Sequence, residues 1–113
     1  MSINGIWGTD ICGAYGWEPI STVFLENGRF IGGGRNHYSC GHYKEKADGS
    51  VVFKIIYNQF GQKRPLFGQK SDKLSLVIKA RRDGDVILGV ATTSKGSELG
   101  ITVRFKKRGK LPK

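Results

Sequence analysis

Leu99-Gly100-Ile101-Thr102-Val103-Arg104-Phe105-Lys106 places an apolar side chain at every second position and small or charged residues between them. A period of two is the mark of a strand with one face in a core and one in water. The same alternation recurs upstream. Val23 and Leu25 alternate with Phe24 and Glu26, Leu74, Leu76 and Ile78 with Ser75 and Lys79, and Val86, Leu88 and Val90 with Gly89 and Ala91. Nowhere does an i, i+3, i+4, i+7 pattern persist for two turns, so the chain is expected to be all-β.

The punctuation between these runs is specific. Asn27-Gly28, Asp48-Gly49 and Asp83-Gly84 each separate two alternating runs, and all three dipeptides suit the positive-φ positions of a type I′ hairpin turn. Lys95-Gly96-Ser97 supplies a looser fourth loop. Eight strands follow, near 3–9, 20–26, 29–35, 37–46, 50–58, 73–81, 85–93 and 99–107, mostly joined to their sequence neighbours. A meander of this length without covering helices leaves two exposed edges unless the sheet closes on itself. The expected fold is therefore a closed eight-stranded antiparallel up-and-down barrel. Its interior would be filled by side chains or hold one small apolar ligand.

Composition agrees with one such domain. The 113 residues suffice for a single core, read as a barrel over 1–107 followed by a basic tail over 108–113. The 17 glycines are roughly twice the usual share of about 7% and carry no Gly-X-Y period. They suit hairpin corners and sheet bends, with Gly32-Gly33-Gly34 expected to be the strongest bend. Trp7, in the first strand, is expected to plug one end of the barrel with its indole N–H satisfied, rather than to stack on a ligand.

No stretch approaches the roughly 18 to 20 apolar residues of a spanning helix, and no membrane partner is expected. Met1 to Gly5 lacks the basic flank and apolar run of a secretory signal, so a cytoplasmic location is expected. In that reducing compartment Cys12 and Cys40 are expected to be free, small, buried side chains.

Candidate chemistry is sparse. Cys40 and His42 share a strand face while His37 points to the other, so the four-ligand spacing of structural zinc is missing and no metal or cofactor is expected. No nucleophile, base and orienting group can be named together, which argues against an enzyme. The net charge of +10 suggests an acidic partner. Residues 1–43 have a balance of −1, whereas residues 44–113 hold 17 basic against 6 acidic groups, a net of +11. Lys63-Arg64, flanked by Tyr57, Phe60 and Phe67, keeps nucleic acid open as a partner, with a solvated basic face as the alternative. Val51 to Tyr57 is apolar on both faces except at Lys54, which leaves an apolar stripe outside. That stripe is either a protein interface or is covered by the connection from Asn58 to Ser71.

Asn4-Gly5-Ile6-Trp7, then Leu25-Glu26-Asn27-Gly28-Arg29-Phe30-Ile31-Gly32-Gly33-Gly34, then Tyr38 and Gly41 as a Tyr-x-x-Gly step, resemble the GrlR-like proteins, negative regulators of type III secretion in Gram-negative bacteria. The resemblance implies a lipocalin-like barrel with an apolar cavity, a homodimer, and a non-enzymatic regulator that sequesters a transcriptional activator by protein binding. The family's acidic Glu-Asp-Glu-Asp loop corresponds to about Glu45-Lys46-Ala47-Asp48-Gly49-Ser50, where only Glu45 and Asp48 are acidic. The tip residues Lys44, Glu45, Lys46 and Asp48 are accordingly expected to meet the partner, and Val52, Lys54 and Ile56 to form the dimer contact. The rival functions are an apolar ligand (lipid) carrier and a basic nucleic-acid-binding module.

Overall fold

The computed structural model describes residues 2–13, 16–60, 73–93 and 100–112. Every regular element among them is a strand: β1 (Gly5–Gly13), β2 (Gly16–Glu26), β3 (Arg29–Gly33), β4 (His37–Glu45), β5 (Ser50–Gln59), β6 (Lys73–Asp83), β7 (Val86–Thr93) and β8 (Ile101–Gly109). They form one closed antiparallel barrel in sequence order, with β8 returning to β1. The expected eight strands and the closure are both present. β1 and β2 run further toward their connection than the sequence pattern indicates, and β8 continues to Gly109, two residues into the segment read as tail. The Lys95 loop, the Lys63-Arg64 pair and most of the connection from Asn58 to Ser71 lie outside the described residues.

The three Gly-containing turns differ from one another. Asn27 and Gly28 both have positive φ, 49° and 85°, as a type I′ turn requires, and Glu26 pairs with Arg29 across them. Asp48 does not share that conformation. Only Gly49 is left-handed, at φ 91°, within a loop closed by Gly49 N–H donating to the Lys46 carbonyl and Lys46 N–H donating to the Ser50 carbonyl. That is a type I turn ending in a glycine bulge, not the type I′ turn expected from the dipeptide. The Asp83 hairpin likewise has positive φ at Gly84 alone, and its two-residue loop is Gly84-Asp85, because Asp83 pairs with Val86. The chain turns sharply after β3 at Gly34, whose N–H donates to the His37 carbonyl at 3.0 Å. A side chain at Gly34 would meet the His37 ring and the Ile20 carbonyl at 2.5 Å, so only glycine fits this corner.

Inward positions form one core. Trp7, Phe53, Phe105, Leu25, Val23, Val51 and Ile87 are fully buried. Phe53 and Phe105 stack at 5.0 Å between ring centres, and Phe30 meets both rings edge-on. Trp7 donates its indole N–H to the Ile3 carbonyl at 2.9 Å, and Ile3 is itself fully buried. The barrel end that holds Trp7, Leu25, Tyr43 and Val51 is therefore filled. Further along the barrel an apolar cavity of about 60 Å³ remains among Ile55, Leu76, Ile78, Ala91 and Val103.

β5 resolves its own parity. Val51, Phe53, Ile55 and Tyr57 face inward, which leaves Val52, Lys54 and Ile56 outside. The opposite choice would have driven the Lys54 ammonium into the core without a partner. The two cysteines correct the sequence expectation, because both are exposed, though free. On β1 the core takes Trp7, Thr9 and Ile11, so Cys12 points out. On β4 it takes His37, Ser39 and Tyr43, so Cys40 points out.

Candidate functional site

A meander keeps sequence order around the barrel, so the charge asymmetry of the sequence becomes an asymmetry in space. Strands β1 to β3 contain Asp10, Glu18, Glu26 and Arg29 as their only charged residues. Strands β5 to β8 contain nine lysines and arginines against one acid, Asp83. Two different outer surfaces result.

The first surface is built on an uncharged row, with Glu26, Arg29 and Lys54 beside it. Ile6 pairs with Phe24, Phe24 with Ile31, Ile31 with Cys40, Cys40 with Ile56, and Ile56 with Ser75. These outward side chains form one row across six strands, about 24 Å long at the usual strand spacing of about 4.8 Å. Phe24, Ile31 and Ile56 are 43%, 49% and 38% exposed. Tyr38, two residues before Cys40, widens the patch through its ring contact with exposed Phe60 at 6.2 Å. Leu111 and Pro112 lie at the Phe24 and Ile31 end of the row.

The second surface, on β4 to β8, interleaves cations with aliphatic groups. In one row Lys44 pairs with Val52, Val52 with Lys79, and Lys79 with Val90. In the next, Arg81 pairs with Leu88 and Leu88 with Arg104. Val52 precedes outward Lys54 on β5, and Val77 precedes outward Lys79 on β6. Positive and aliphatic side chains thus alternate across the strands in both rows and along β5, where Val52, Lys54 and Ile56 follow one another on the outer face. Leu88 and Val90 are 49% and 45% exposed, while Val52 and Val77 are half-buried among the lysines. Among the described residues, no carboxylate pairs with Lys44, Lys54 or Lys79.

The barrel seam between β1 and β8 borders this surface. Arg104 donates from Nε and Nη2 to the same Asp10 oxygen, at 3.2 and 3.0 Å. Its guanidinium lies 4.2 Å from the centre of the Trp17 ring, a cation–π contact. Asp10 follows a register shift at Thr9 and lies opposite Pro19, whose missing N–H is tolerated at that irregular position of the ladder.

The tip residues named from the sequence divide into two groups. Lys44, Glu45 and Lys46 are exposed and make no side-chain contact that shapes the turn. Asp48 has a structural task. Its Oδ1 accepts from the Ser50 N–H at 2.9 Å and from the Ser50 hydroxyl at 2.6 Å. These bonds, the hydroxyl first, hold the Asp48 carboxyl below the usual carboxylate range. Arg81 donates to the Asp48 carbonyl at 2.7 Å, which ties the hairpin to β6. Of the residues named for a dimer contact, Ile56 belongs to the uncharged row. Val52 and Lys54 belong to the interleaved surface instead.

His37 and His42 separate as their positions require, His37 buried against Tyr57 at 4.7 Å between ring centres and His42 exposed. Among the described residues, no three His, Cys, Asp or Glu side chains group as metal ligands. Thr9 lines the interior cavity with its hydroxyl buried and without a hydrogen-bond partner. The row from Phe24 to Ile56 was missed by reading strands singly, although the Asn27-Gly28 turn alone implies its first pair. No protein-family model matches the chain, and no curated protein matches it either.

Proposed function

We propose that this protein is a non-enzymatic binding module of the GrlR-like kind, a cytoplasmic homodimer that acts by capturing a second protein. By the resemblance of its first third to that family, the captured protein is a transcriptional regulator and the process regulated is type III secretion. The observation that carries the binding reading is the uncharged row Phe24, Ile31, Cys40 and Ile56, left open to solvent on a soluble barrel's outer face. A second copy is its best occupant. Two chains of net charge +10 repel each other over most of their surfaces, so self-contact is favoured where charge is absent.

A carrier of lipids is supported less well. The interior cavity of about 60 Å³ is far smaller than the several hundred Å³ of a pocket that encloses a ligand of ordinary size.

Light scattering coupled to gel filtration tests the proposal. The wild-type chain is expected to run as a dimer, and Ile31→Asp/Ile56→Asp as a folded monomer with an unchanged circular dichroism spectrum. A monomeric wild type, or a double variant that remains dimeric, would refute self-association through this row.

A further inference from the structure

We propose that the interleaved surface of β4 to β8 is the seat of the captured protein, and that it takes an acidic amphipathic segment in which carboxylates and aliphatic side chains alternate. This rests on the protein-binding reading above and names the partner's chemistry. Among the charged residues of β4 to β8 only Glu45 and Asp83 are acidic, and among the described residues no carboxylate pairs with Lys44, Lys54 or Lys79, so an acidic partner would satisfy cations that this chain leaves open. The aliphatic groups are equally part of the pattern. Leu88 stands between Arg81 and Arg104, and Val90 beside Lys79. Each lysine that binds a carboxylate therefore brings a partner's neighbouring side chain over a valine or leucine, where apolar burial adds to charge pairing.

The same pattern disfavours the other polyanions. Single-stranded nucleic acid is held by aromatic platforms as well as by charge, and the exposed large apolar side chains that stand between the cations here are the aliphatic Leu88 and Val90, whereas the exposed rings Tyr38 and Phe60 lie together beside the uncharged row. Trp17, at the β8 border, is already engaged by Arg104. A lipid surface is flat, whereas Val52 and Val77 are half-buried on the convex outer wall of a barrel. A bilayer would meet the ammonium groups alone. A peptide can interdigitate.

Fluorescence anisotropy with two labelled peptides of equal length and charge tests this, one alternating glutamate with leucine and the other glutamate with serine. The glutamate–leucine peptide is expected to bind at least about tenfold more tightly, the equivalent of about 1.4 kcal/mol. Leu88→Ser/Val90→Ser should abolish that preference while leaving the glutamate–serine affinity unchanged. Lys54→Glu/Lys79→Glu should weaken both peptides by more than about tenfold. All four positions are on the outer surface, and circular dichroism checks that the variants fold. Equal affinity for the two peptides, or tighter binding of a single-stranded oligonucleotide or of phosphatidylserine vesicles at the same ionic strength, would overturn the proposal. The dimer test reads Ile31 and Ile56, on β3 and β5, and the peptide preference reads Leu88 and Val90, on β7, so the two readings fail separately. A dimer that does not discriminate between the peptides removes the partner chemistry alone, and a monomer that does discriminate removes self-association alone.

Discussion

The wall built by β1 to β3 and the wall built by β5 to β8 enclose the same core but present opposite surfaces. One offers Ile6, Phe24 and Ile31 in an uncharged row, and the other sets nine cationic residues against Asp83. The difference arises from connectivity. In a barrel whose strands follow sequence order, a charge imbalance between chain halves becomes an imbalance between sides. A Greek key would have mixed the two halves. Among the described strands the positive charge therefore belongs to one side of the barrel, and one small barrel has room for two distinct contacts.

The most damaging way to probe this contrast is from within, at a residue that belongs to neither wall. Trp7 is fully buried, and its indole N–H is bonded to the Ile3 carbonyl. Trp7→Ala should cost about 3 to 5 kcal/mol, the usual range for a large aromatic removed from a core. Urea titrations followed by circular dichroism and by the remaining Trp17 fluorescence should shift together. Separate transitions would mean that the walls are independent folding units and not two faces of one.

A smaller effect is expected at the seam. Asp10, on the wall of β1 to β3, reaches the cations of the other through two bonds from Arg104. Both side chains are mostly covered, 23% and 11% exposed, so this pair is screened less than an ordinary surface ion pair. Asp10→Ala leaves the Arg104 guanidinium without its anion beside Trp17. A loss of about 1.5 to 3 kcal/mol is expected, as for hydrogen bonds to charged groups. Added salt should recover part of it by screening Arg104 from Lys106 and Arg81. A loss that did not respond to salt would show that Asp10 serves packing and not charge.

Much of this architecture was legible because strand alternation and turn chemistry are local. The Asn27-Gly28 turn even fixes a pair on the outer row, since reflection about a two-residue turn places Phe24 opposite Ile31. The β4–β5 hairpin shows where local reading fails. A type I′ turn at Asp48-Gly49 would have placed Cys40 opposite Tyr57, but the glycine bulge adds a residue and places it opposite Ile56. A slip of one residue exchanges the two faces of a strand. The bulge therefore decides whether the uncharged row continues onto β5. The exposed Cys40 has a related origin. Gly41 faces inward where a side chain would collide with the Lys54 carbonyl, and that close approach commits Tyr38, Cys40 and His42 to the outside. Composition alone, which favours burial of cysteine, carries no information about such a contact. The interleaving of cations and aliphatics was hidden for the same reason. Each strand shows only its own alternation, and the pattern across strands needs every register at once.

The smallest expected effect concerns that bulged hairpin, which joins the outer row to the cationic wall. Asp48 is fully exposed, and its carboxyl is held down chiefly by the Ser50 hydroxyl, then by the Ser50 N–H, with Arg81 and Lys46 contributing less. Because the folded-state value is lowered, the contribution to stability is present above the ordinary carboxylate value near 3.8 and is lost as pH falls through the folded value. Ser50→Ala should therefore raise the Asp48 titration midpoint toward the ordinary value, read by NMR of the side-chain carboxyl, and should narrow the acid range over which the hairpin stays ordered. Lys46→Ala should move it less, because a solvated charge is a weaker influence than a 2.6 Å hydrogen bond. If Lys46→Ala moved the midpoint more than Ser50→Ala, the tip would be organised by the field of the cationic wall. The register that separates the two surfaces would then depend on that field and not on the local bonds of the turn.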